Sequence, residues 1–219
     1  MTSLTVENYL KAIYQLCSHS QQPATTGQLA QALEVSPGSV TAMLKSLHQQ
    51  GLVHYQPYEG VRLTEQGQRE ALRVLRRHRL LELFLVQTLG MSWDEVHAEA
   101  EHLEHAASDK LIDRIDEFLG HPEFDPHGDP IPKPDGSVHA PQTQRLTECA
   151  PGQRVRVARV LDQSQEFLRF VSQCGLTPGR EWTVQQRNDL SGVIVLAQGE
   201  QQVALSVQAA ACVLVTPLG

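Results

Sequence analysis

Between residues 121 and 144 the sequence contains a segment that neither a helix nor a central strand can include. Six of the twelve prolines lie in this segment, together with several glycine, aspartate and histidine residues. Because proline lacks a backbone N–H and clashes with the preceding helical turn, this density predicts a linker. The segment therefore divides the chain into a front part, residues 4–120, and a rear part that begins near residue 145.

The two parts differ in the spacing of their apolar residues. The front part is predicted to be mostly helical, and its first helix runs from about Leu4 to Ser18. The rear part contains short runs rich in β-branched residues, separated by turn signals such as Pro-Gly. These runs cover residues 154–161, 181–186, 192–197, 203–206 and 211–215. Short strands at this spacing predict a small barrel.

The order of elements in residues 4–63 is that of a winged helix-turn-helix. After the first helix, Thr25 and Thr26 precede a short helix, and Ser36 and Pro37 start another in the favoured N-cap and N1 positions. Two β-type runs, residues 52–55 and 60–63, then predict a hairpin that forms the wing. Helices alone would also fit a small domain that binds a protein or no partner, and the wing favours DNA binding.

We expect this part of the chain to bind double-stranded DNA through the second of the two short helices and through the wing. The candidate DNA-binding residues are Ser36, Pro37, Ser39, Thr41, Lys45 and Arg62. On the helix these side chains are small and polar, and the Arg, Asn and Gln side chains that read bases bidentately are scarce. Hydroxyl groups, water and DNA shape are therefore expected to contribute to recognition.

The net charge of −7 is unevenly distributed along the chain. Residues 1–73 contain five basic and five acidic residues, so the predicted DNA-binding part is neutral. Residues 74–120 contain five basic and ten acidic residues. This excess of negative charge can attract cations, and a neutral front part still permits phosphate contacts from hydroxyl groups and helix N-termini.

Residues 97–105 carry the side chains from which a metal site is expected. Residues 94–105 contain five acidic residues and neither Lys nor Arg, so their charges repel one another unless a cation offsets them. On a continuous helix over residues 93–107, four potential ligands would share one face. These are His97, Glu101, Glu104 and His105. The preceding helix, residues 65–89, adds His78 and Glu82 at i and i+4, and such nitrogen and oxygen donors suit Mn²⁺, Fe²⁺ and Zn²⁺.

Two alternatives to a sensory metal site fit the sequence less well. A solvated charged helix surface usually alternates acidic and basic residues, which this stretch does not. A metalloenzyme would be indicated by motifs such as HExxH, a nucleophile elbow or a phosphate-binding loop, and the sequence contains none of these. We therefore predict that the chain is not an enzyme.

The cysteines and the N-terminus predict a cytoplasmic protein. The four cysteines are scattered and form no CxxC pair, which indicates a reduced chain without a disulfide framework. The first residues have neither the basic nor the apolar region of a signal peptide. No apolar stretch approaches the roughly 18 residues of a membrane helix, so no membrane association is expected.

Several runs of the sequence are specific enough to indicate a family. They are ENYLKAIY at residues 7–14, VSPGSVT at 35–41, RHRLLE at 77–82 and VHAEAEHLEHAASD at 96–109. With these runs the chain resembles the diphtheria-toxin-repressor family of iron- and manganese-dependent bacterial regulators. The resemblance is dense over residues 4–119 and weaker over 141–216.

The resemblance implies a mainly α protein with a small amount of β structure and three domains. Residues 1–73 would form the winged helix-turn-helix, and residues 74–140 a helical dimerisation and metal-binding domain that includes the linker. Residues 141–219 would form an SH3-like, FeoA-like β-barrel.

The resemblance also implies two metal sites in each chain. The primary site would contain Asn8, Glu101, Glu104 and His105, and the ancillary site His78, Glu82, His97, Gln163 and Glu166. Manganese-type members carry a carboxylate where this chain has Glu101, and iron-type members a cysteine. Asn8 departs from both types, because manganese-type members have Asp there and iron-type members have Met. The alternatives for this position are that Asn8 binds weakly through its amide oxygen, that it binds through water, or that Glu7 takes the role. Lys11 replaces a further Glu ligand of some short manganese regulators, which argues against two adjacent ions.

The expected function is a metal-dependent repressor that binds a pseudo-palindromic operator as a homodimer. Residues 93–119 contain more apolar side chains than the core of this small helical domain needs. We therefore expect the two subunits to contact each other through these residues. Mn²⁺ is the expected effector, because the proposed donors are oxygen and nitrogen without a thiolate. The alternatives are an iron-activated repressor, a metal-responsive activator on the same scaffold, and a metal-storing or metal-dependent enzyme.

Overall fold

The computed structural model describes residues 3–188 and 190–218, apart from the side chain of His19. The chain divides into two compact units. The first unit contains residues up to His78, with residues 104–107 and 132–137; the second contains residues 79–103, 108–131 and those from 138 onward. Among the described residues, no helix is long and apolar enough to cross a membrane.

The first unit contains the predicted winged helix-turn-helix. Its elements are α1 (Leu4–Ser20), α2 (Thr26–Ala32), α3 (Pro37–Gln49), β1 (Val53–Gln56), β2 (Gly60–Leu63) and the first half of α4 (Glu65–Leu89). β1 and β2 pair antiparallel as the expected wing. The core between these elements includes Leu10, Ile13, Leu29, Leu44 and Leu47, all fully buried. Their helical spacing is the pattern from which the helices were predicted.

Side-chain caps fix where the two short helices begin. Thr25 Oγ1 accepts a hydrogen bond from the Gln28 N–H at 3.2 Å, and Gln28 Oε1 accepts one from the Thr25 N–H at 2.9 Å. Ser36 Oγ accepts from the Ser39 N–H at 3.2 Å, and Pro37 is the first residue of α3. Both caps satisfy backbone donors that have no partner inside the helix.

Helix α4 begins in close contact with the loop between α3 and β1. Thr64 Oγ1 accepts from the Gly67 N–H at 3.1 Å and donates to the Gly51 carbonyl at 2.7 Å. A Cβ atom at Gly67 would lie 2.0 Å from the Leu52 carbonyl oxygen. Only glycine therefore permits the start of α4 to lie against the backbone of Leu52.

The second unit contains a six-stranded antiparallel sheet in the order β3-β8-β4-β5-β6-β7. The strands are β3 (Gln144–Arg145), β4 (Arg154–Val160), β5 (Glu181–Asn188), β6 (Val193–Gln198), β7 (Gln201–Ser206) and β8 (Val213–Leu218). Its core includes Val155, Leu168, Trp182, Leu196 and Val215. The expected SH3-like β domain is confirmed.

Besides the second half of α4, the described part of the second unit contains four α-helices. They are α5 (Val96–Leu103), α6 (Asp109–Phe118), α7 (Gln165–Gln173) and α8 (Val207–Ala211). The prediction of strands alone behind residue 145 was incomplete, because α7 and α8 lie between strands. Leu168 and Val171 are the buried residues of α7, and their spacing of three is typical of a helix. Over a stretch this short, however, apolar spacing hardly distinguishes a helix from a strand.

Helix α5 is shorter than predicted, and this changes the metal-site geometry. A single helix over residues 93–107 was expected, whereas α5 ends at Leu103, and Glu104 and His105 lie in a turn. Ser108 is the N-cap of α6, with an extended backbone (φ −72°, ψ 153°) and a side chain that accepts from the Leu111 N–H. Because a cap residue cannot be helical, the chain must leave α5 before it. The prediction that all four ligands share one helix face was therefore wrong for Glu104 and His105.

Residues 125–131 of the proline-rich segment are mostly buried within the second unit rather than solvated. Phe124 and Pro130 form a β-bridge, and His127 and Asp129 are buried between them. Gly128 has φ +86°, and a Cβ atom there would lie 1.9 Å from the Ala158 carbonyl oxygen. The segment thus lies directly against β4, at the bulge between Val157 and Arg159.

We expect Gly67→Ala to destabilise the first unit by about 1–3 kcal/mol, because the added methyl group overlaps a backbone oxygen that cannot move without shifting α4. Gly27→Ala is the matched control, since Gly27 lies in helix α2 with no atom within 4 Å of its Cβ position. That variant should be neutral or stabilising by up to about 1 kcal/mol. Urea unfolding followed by far-ultraviolet circular dichroism measures both; equal stabilities would contradict the close packing.

Candidate metal centres and DNA-binding surface

The predicted DNA-binding residues lie on one short stretch of the first unit and on its wing. Ser36, Pro37, Ser39 and Lys45 of α3 are exposed, and Thr41 is half-buried and donates to the Pro37 carbonyl at 2.9 Å. On β2, Arg62 is exposed, and its Nη2 donates to the Gln21 carbonyl at 3.0 Å. Exposed hydroxyl groups and a helix N-terminus are groups that contact phosphate.

Glu104 is the centre of a buried polar cluster in the first unit, which we call the Glu104 cluster: Glu7, Lys11, Arg77, His78, Glu104 and His105. The Glu104 side chain is 0% exposed. Its Oε1 accepts from Lys11 Nζ at 2.7 Å, and its Oε2 from His78 Nδ1 at 2.6 Å. Burial alone would raise the pKa of Glu104, but the hydrogen bond from His78 and the charge of Lys11 outweigh burial and lower it. Glu104 is therefore ionised at neutral pH.

His105 is oriented by α1 so that one ring nitrogen faces Glu104. Its Nδ1 lies 2.6 Å from Glu7 Oε2, and because a carboxylate can only accept, Nδ1 carries the proton. Nε2 lies 3.2 Å from Glu104 Oε1 and has no hydrogen-bond partner of good geometry among the described residues. A histidine held by a carboxylate through one nitrogen, with the other directed at a second carboxylate, is the usual arrangement of a metal-binding histidine.

Asn8 follows Glu7 on α1, and the structure gives it a polar atom that needs a partner. Its Oδ1 is buried and accepts no hydrogen bond from the described part of the chain. A buried oxygen without a partner costs free energy unless a ligand satisfies it. Glu104 Oε1 and His105 Nε2, 3.2 Å apart, are donors that suit a metal ion, and Glu7 holds His105 in place. The assignment of Asn8 to the same site stays a prediction.

A second group of potential ligands lies in the second unit, and we call it the Glu82 group: Glu82, Asp125 and His127. All three are buried, and their ligand atoms lie within 4.8 Å of one another. His127 Nδ1 is 3.7 Å from Glu82 Oε2 and 3.9 Å from Asp125 Oδ1. His127 Nε2 lies 2.8 Å from the Trp93 carbonyl, which only accepts, so that Nδ1 is the atom left to bind a metal.

The two carboxylates of the Glu82 group change the charge of His127. Burial alone would lower the pKa of His127, but the hydrogen bonds and charges of Asp125 and Glu82 raise it to about 10. Burial raises the pKa of Asp125 to about 6, although His127 opposes this shift. His127 is therefore protonated at neutral pH when no metal is bound, and this proton occupies the position that a metal would take.

The other predicted metal ligands do not all lie beside the Glu82 group. His97 Nδ1 lies 3.2 Å from Glu82 Oε1, close to the Glu82 group. His78 Nδ1 lies 2.6 Å from Glu104 Oε2, and Glu101 Oε1 lies 3.7 Å from His97 Nε2. The assignments of Glu101 to the primary site and of His78 to the ancillary site stay predictions.

The two barrel residues predicted as ancillary ligands lie at and just before the start of α7. Gln163 Nε2 donates to Asp129 Oδ2 at 2.5 Å, and Glu166 is exposed. Asp129 also accepts from Arg79 Nη2 at 3.2 Å and forms an ion pair with Arg159. Gln163 thus joins a buried network beside the Glu82 group.

Sequence reasoning missed Asp125 and His127 because it interpreted residues 121–144 as a linker. Asp125 Oδ1 accepts from the backbone N–H groups of His127 and Asp129, at 2.8 and 2.9 Å, which is the usual turn-forming role of aspartate. The same turn buries the carboxylate. The available signal was the presence of histidine and aspartate two residues apart in a segment otherwise built of turn formers.

Comparison with known protein families assigns all three parts of the chain. Residues 1–61 match the N-terminal DNA-binding domain of iron-dependent repressors, and residues 64–133 match their metal-binding and dimerisation domain. Residues 144–217 match the FeoA domain. The three matches follow one another along the chain in the order expected of a single regulator.

A similar protein and a similar solved structure each extend over almost the whole chain, and a second protein matches a little more than half of it. The iron-dependent repressor IdeR of Mycobacterium leprae is 31% identical over 213 residues, which cover 92% of each chain. The regulator MntR of Bacillus velezensis is 34% identical over 125 residues, 57% of this chain and 87% of its own. A solved manganese-dependent transcriptional repressor in complex with manganese is 41% identical, covers 97% of this chain and 100% of its own, and has a TM-score of 0.90.

The match to IdeR over both chains, the order of the three domains and the buried histidine–carboxylate clusters agree with one another. The chain belongs to the iron-dependent repressor family of metal-dependent, DNA-binding transcriptional repressors.

Proposed function

We propose that the chain is a manganese-activated repressor that acts in the cytoplasm. The observation that carries this proposal is the Glu104 cluster, in which oxygen and nitrogen donors come together without a thiolate. Such hard donors suit Mn²⁺ better than softer ions. The manganese-dependent repressor with a TM-score of 0.90 supports the same choice, and the iron-dependent relatives make Fe²⁺ the competing ion.

The proposed primary ligands are Asn8, Glu104 and His105. Asn8 lies on α1, and the other two lie in the turn after α5, so that a bound ion would connect α1 with residues 104–107 inside the first unit. The ion would supply charge that draws these three donors together. Helix α1 contacts α2 and β2, and thus restrains both the helix-turn-helix and the wing.

The proposed regulator acts as a homodimer on a pseudo-palindromic operator. The match of residues 64–133 to a dimerisation domain supports the dimer. In the second unit, Leu111 and Phe118 of α6 are 50% and 69% exposed, as apolar residues at a subunit interface are before assembly. A two-fold dimer places two copies of α3 one helical turn of DNA apart, which requires two half-sites in inverted order.

Metal-dependent DNA binding should require His105. We expect the wild-type chain to bind duplexes selected from a random-sequence library in Mn²⁺, and to release them when Mn²⁺ is removed. His105→Gln should weaken this binding at least tenfold at a given free Mn²⁺ concentration, since it removes a ligand. His102→Gln is the matched control, because His102 is exposed one helical turn away, and should bind as the wild type does.

Fluorescence anisotropy at buffered free-ion concentrations measures both variants, with Fe²⁺ compared under anaerobic conditions. Binding that is independent of every divalent ion would contradict the proposed function. Activation by Fe²⁺ at its cytosolic concentration, with Mn²⁺ inactive at its own, would replace manganese with iron.

Metal binding at the Glu82 group should release a proton from His127. Because the pKa of His127 is about 10 in the metal-free chain, the ring is charged below that pH and must lose a proton before Nδ1 can bind a metal. Proton and metal compete, so affinity at this group should rise with pH, by about tenfold per unit for one proton, and should level off near pH 10.

Calorimetric titration with Mn²⁺ in buffers of different ionisation enthalpy counts the released protons. At pH 7.5 we expect His127→Gln to release about one proton fewer per chain than the wild type. His139→Gln is the control, since His139 is exposed, and should leave the count unchanged. Equal proton counts for the wild type and His127→Gln would exclude His127 as a ligand.

A further inference from the structure

Lys11 places its ammonium group on the same carboxylate oxygen that faces His105. Lys11 Nζ lies 2.7 Å from Glu104 Oε1, and His105 Nε2 lies 3.2 Å from that oxygen. The Lys11 side chain is 8% exposed, although lysine is rarely buried unless it is paired. A metal bound by Glu104 Oε1 and His105 Nε2 would therefore have to share Oε1 with Lys11 or displace it.

A second cation faces the other carboxylate of the Glu104 cluster. Arg77 Nη1 lies 4.0 Å from Glu7 Oε1, and both side chains are largely buried. Lys11 and Arg77 thus place two positive charges beside the carboxylates of Glu104 and Glu7. Each of the two carboxylates therefore has a cationic partner in the metal-free chain, which is what a buried carboxylate requires.

We propose that Lys11 is an internal counter-ion that competes with the metal for Glu104 and thereby sets the free metal concentration at which this site fills. This inference rests on the proposed function, because it concerns the same site. Two cations on one buried oxygen repel each other strongly where water does not screen them. Binding of the metal must therefore include the work of moving the Lys11 ammonium away from Oε1.

The competition has two effects of opposite sign, which separate it from a purely structural role. Without Lys11, the metal-free chain holds Glu104 with one cation fewer and should be less stable. The same change removes the competitor and should strengthen metal binding. A lysine that only supported the fold would, when removed, weaken both the metal-free chain and the site.

The experiment compares Mn²⁺ binding and metal-free stability in the full-length chain. Free Mn²⁺ is measured by electron paramagnetic resonance during titration, and the component that disappears in His105→Gln is assigned to the Glu104 cluster. For Lys11→Met we expect this component to bind at least tenfold more tightly and the metal-free melting temperature to fall. Lys11→Arg keeps the charge and should remain close to the wild type in affinity. Lys133→Met, at an exposed lysine of the first unit, should change neither quantity.

Lys11→Gln serves as a second uncharged variant if Lys11→Met does not fold without metal, and it should shift the affinity in the same direction. Unchanged or weaker binding in a folded uncharged variant would overturn the inference. If no component depends on His105 in the wild type, the proposed metal site itself fails. If such a component exists but does not respond to Lys11, only the role of Lys11 fails.

Discussion

The buried carboxylate of Glu104 is the group on which the arrangement of the first unit depends. A charge at zero exposure is tolerated only when hydrogen bonds and opposite charges surround it. Lys11 from α1 and His78 from α4 both donate to it, and Glu7 from α1 holds the neighbouring His105. Glu104 and His105 are therefore tied to α1 and α4 by polar contacts, and such contacts respond to an added ion.

The Glu82 group repeats this principle in the second unit. His127 Nε2 is fixed by a backbone carbonyl, and His127 Nδ1 is directed at the carboxylates of Glu82 and Asp125. In the metal-free chain the proton on His127 supplies a positive charge beside these two carboxylates. Lysine takes the compensating role in one cluster and protonated histidine in the other.

The fold was largely predictable, and the ligand geometry only in part. Ser36 and Pro37 identified the start of α3 because capping is local chemistry, and the wing followed from two short β-type runs. The prediction that Glu104 shares a helix face with His97 was wrong, because α5 ends at Leu103, before the N-cap of α6 at Ser108. Asp125 and His127 were hidden because turn residues and metal ligands are the same residue types. Lys11 and Glu104 pair although they are far apart in the sequence. Such pairs depend on tertiary packing, which the spacing of apolar residues does not reveal.

The central claim is that a metal held by Glu104 and His105 connects α1 with the turn after α5. Anomalous diffraction from crystals grown with Mn²⁺, recorded on both sides of the manganese absorption edge, tests it most directly. We expect an anomalous peak within bonding distance of the Glu104 carboxylate and of His105 Nε2, with the Lys11 ammonium moved away from Glu104. A fully occupied peak at the Glu82 group, with no peak at Glu104 and the Lys11–Glu104 contact intact, would contradict it.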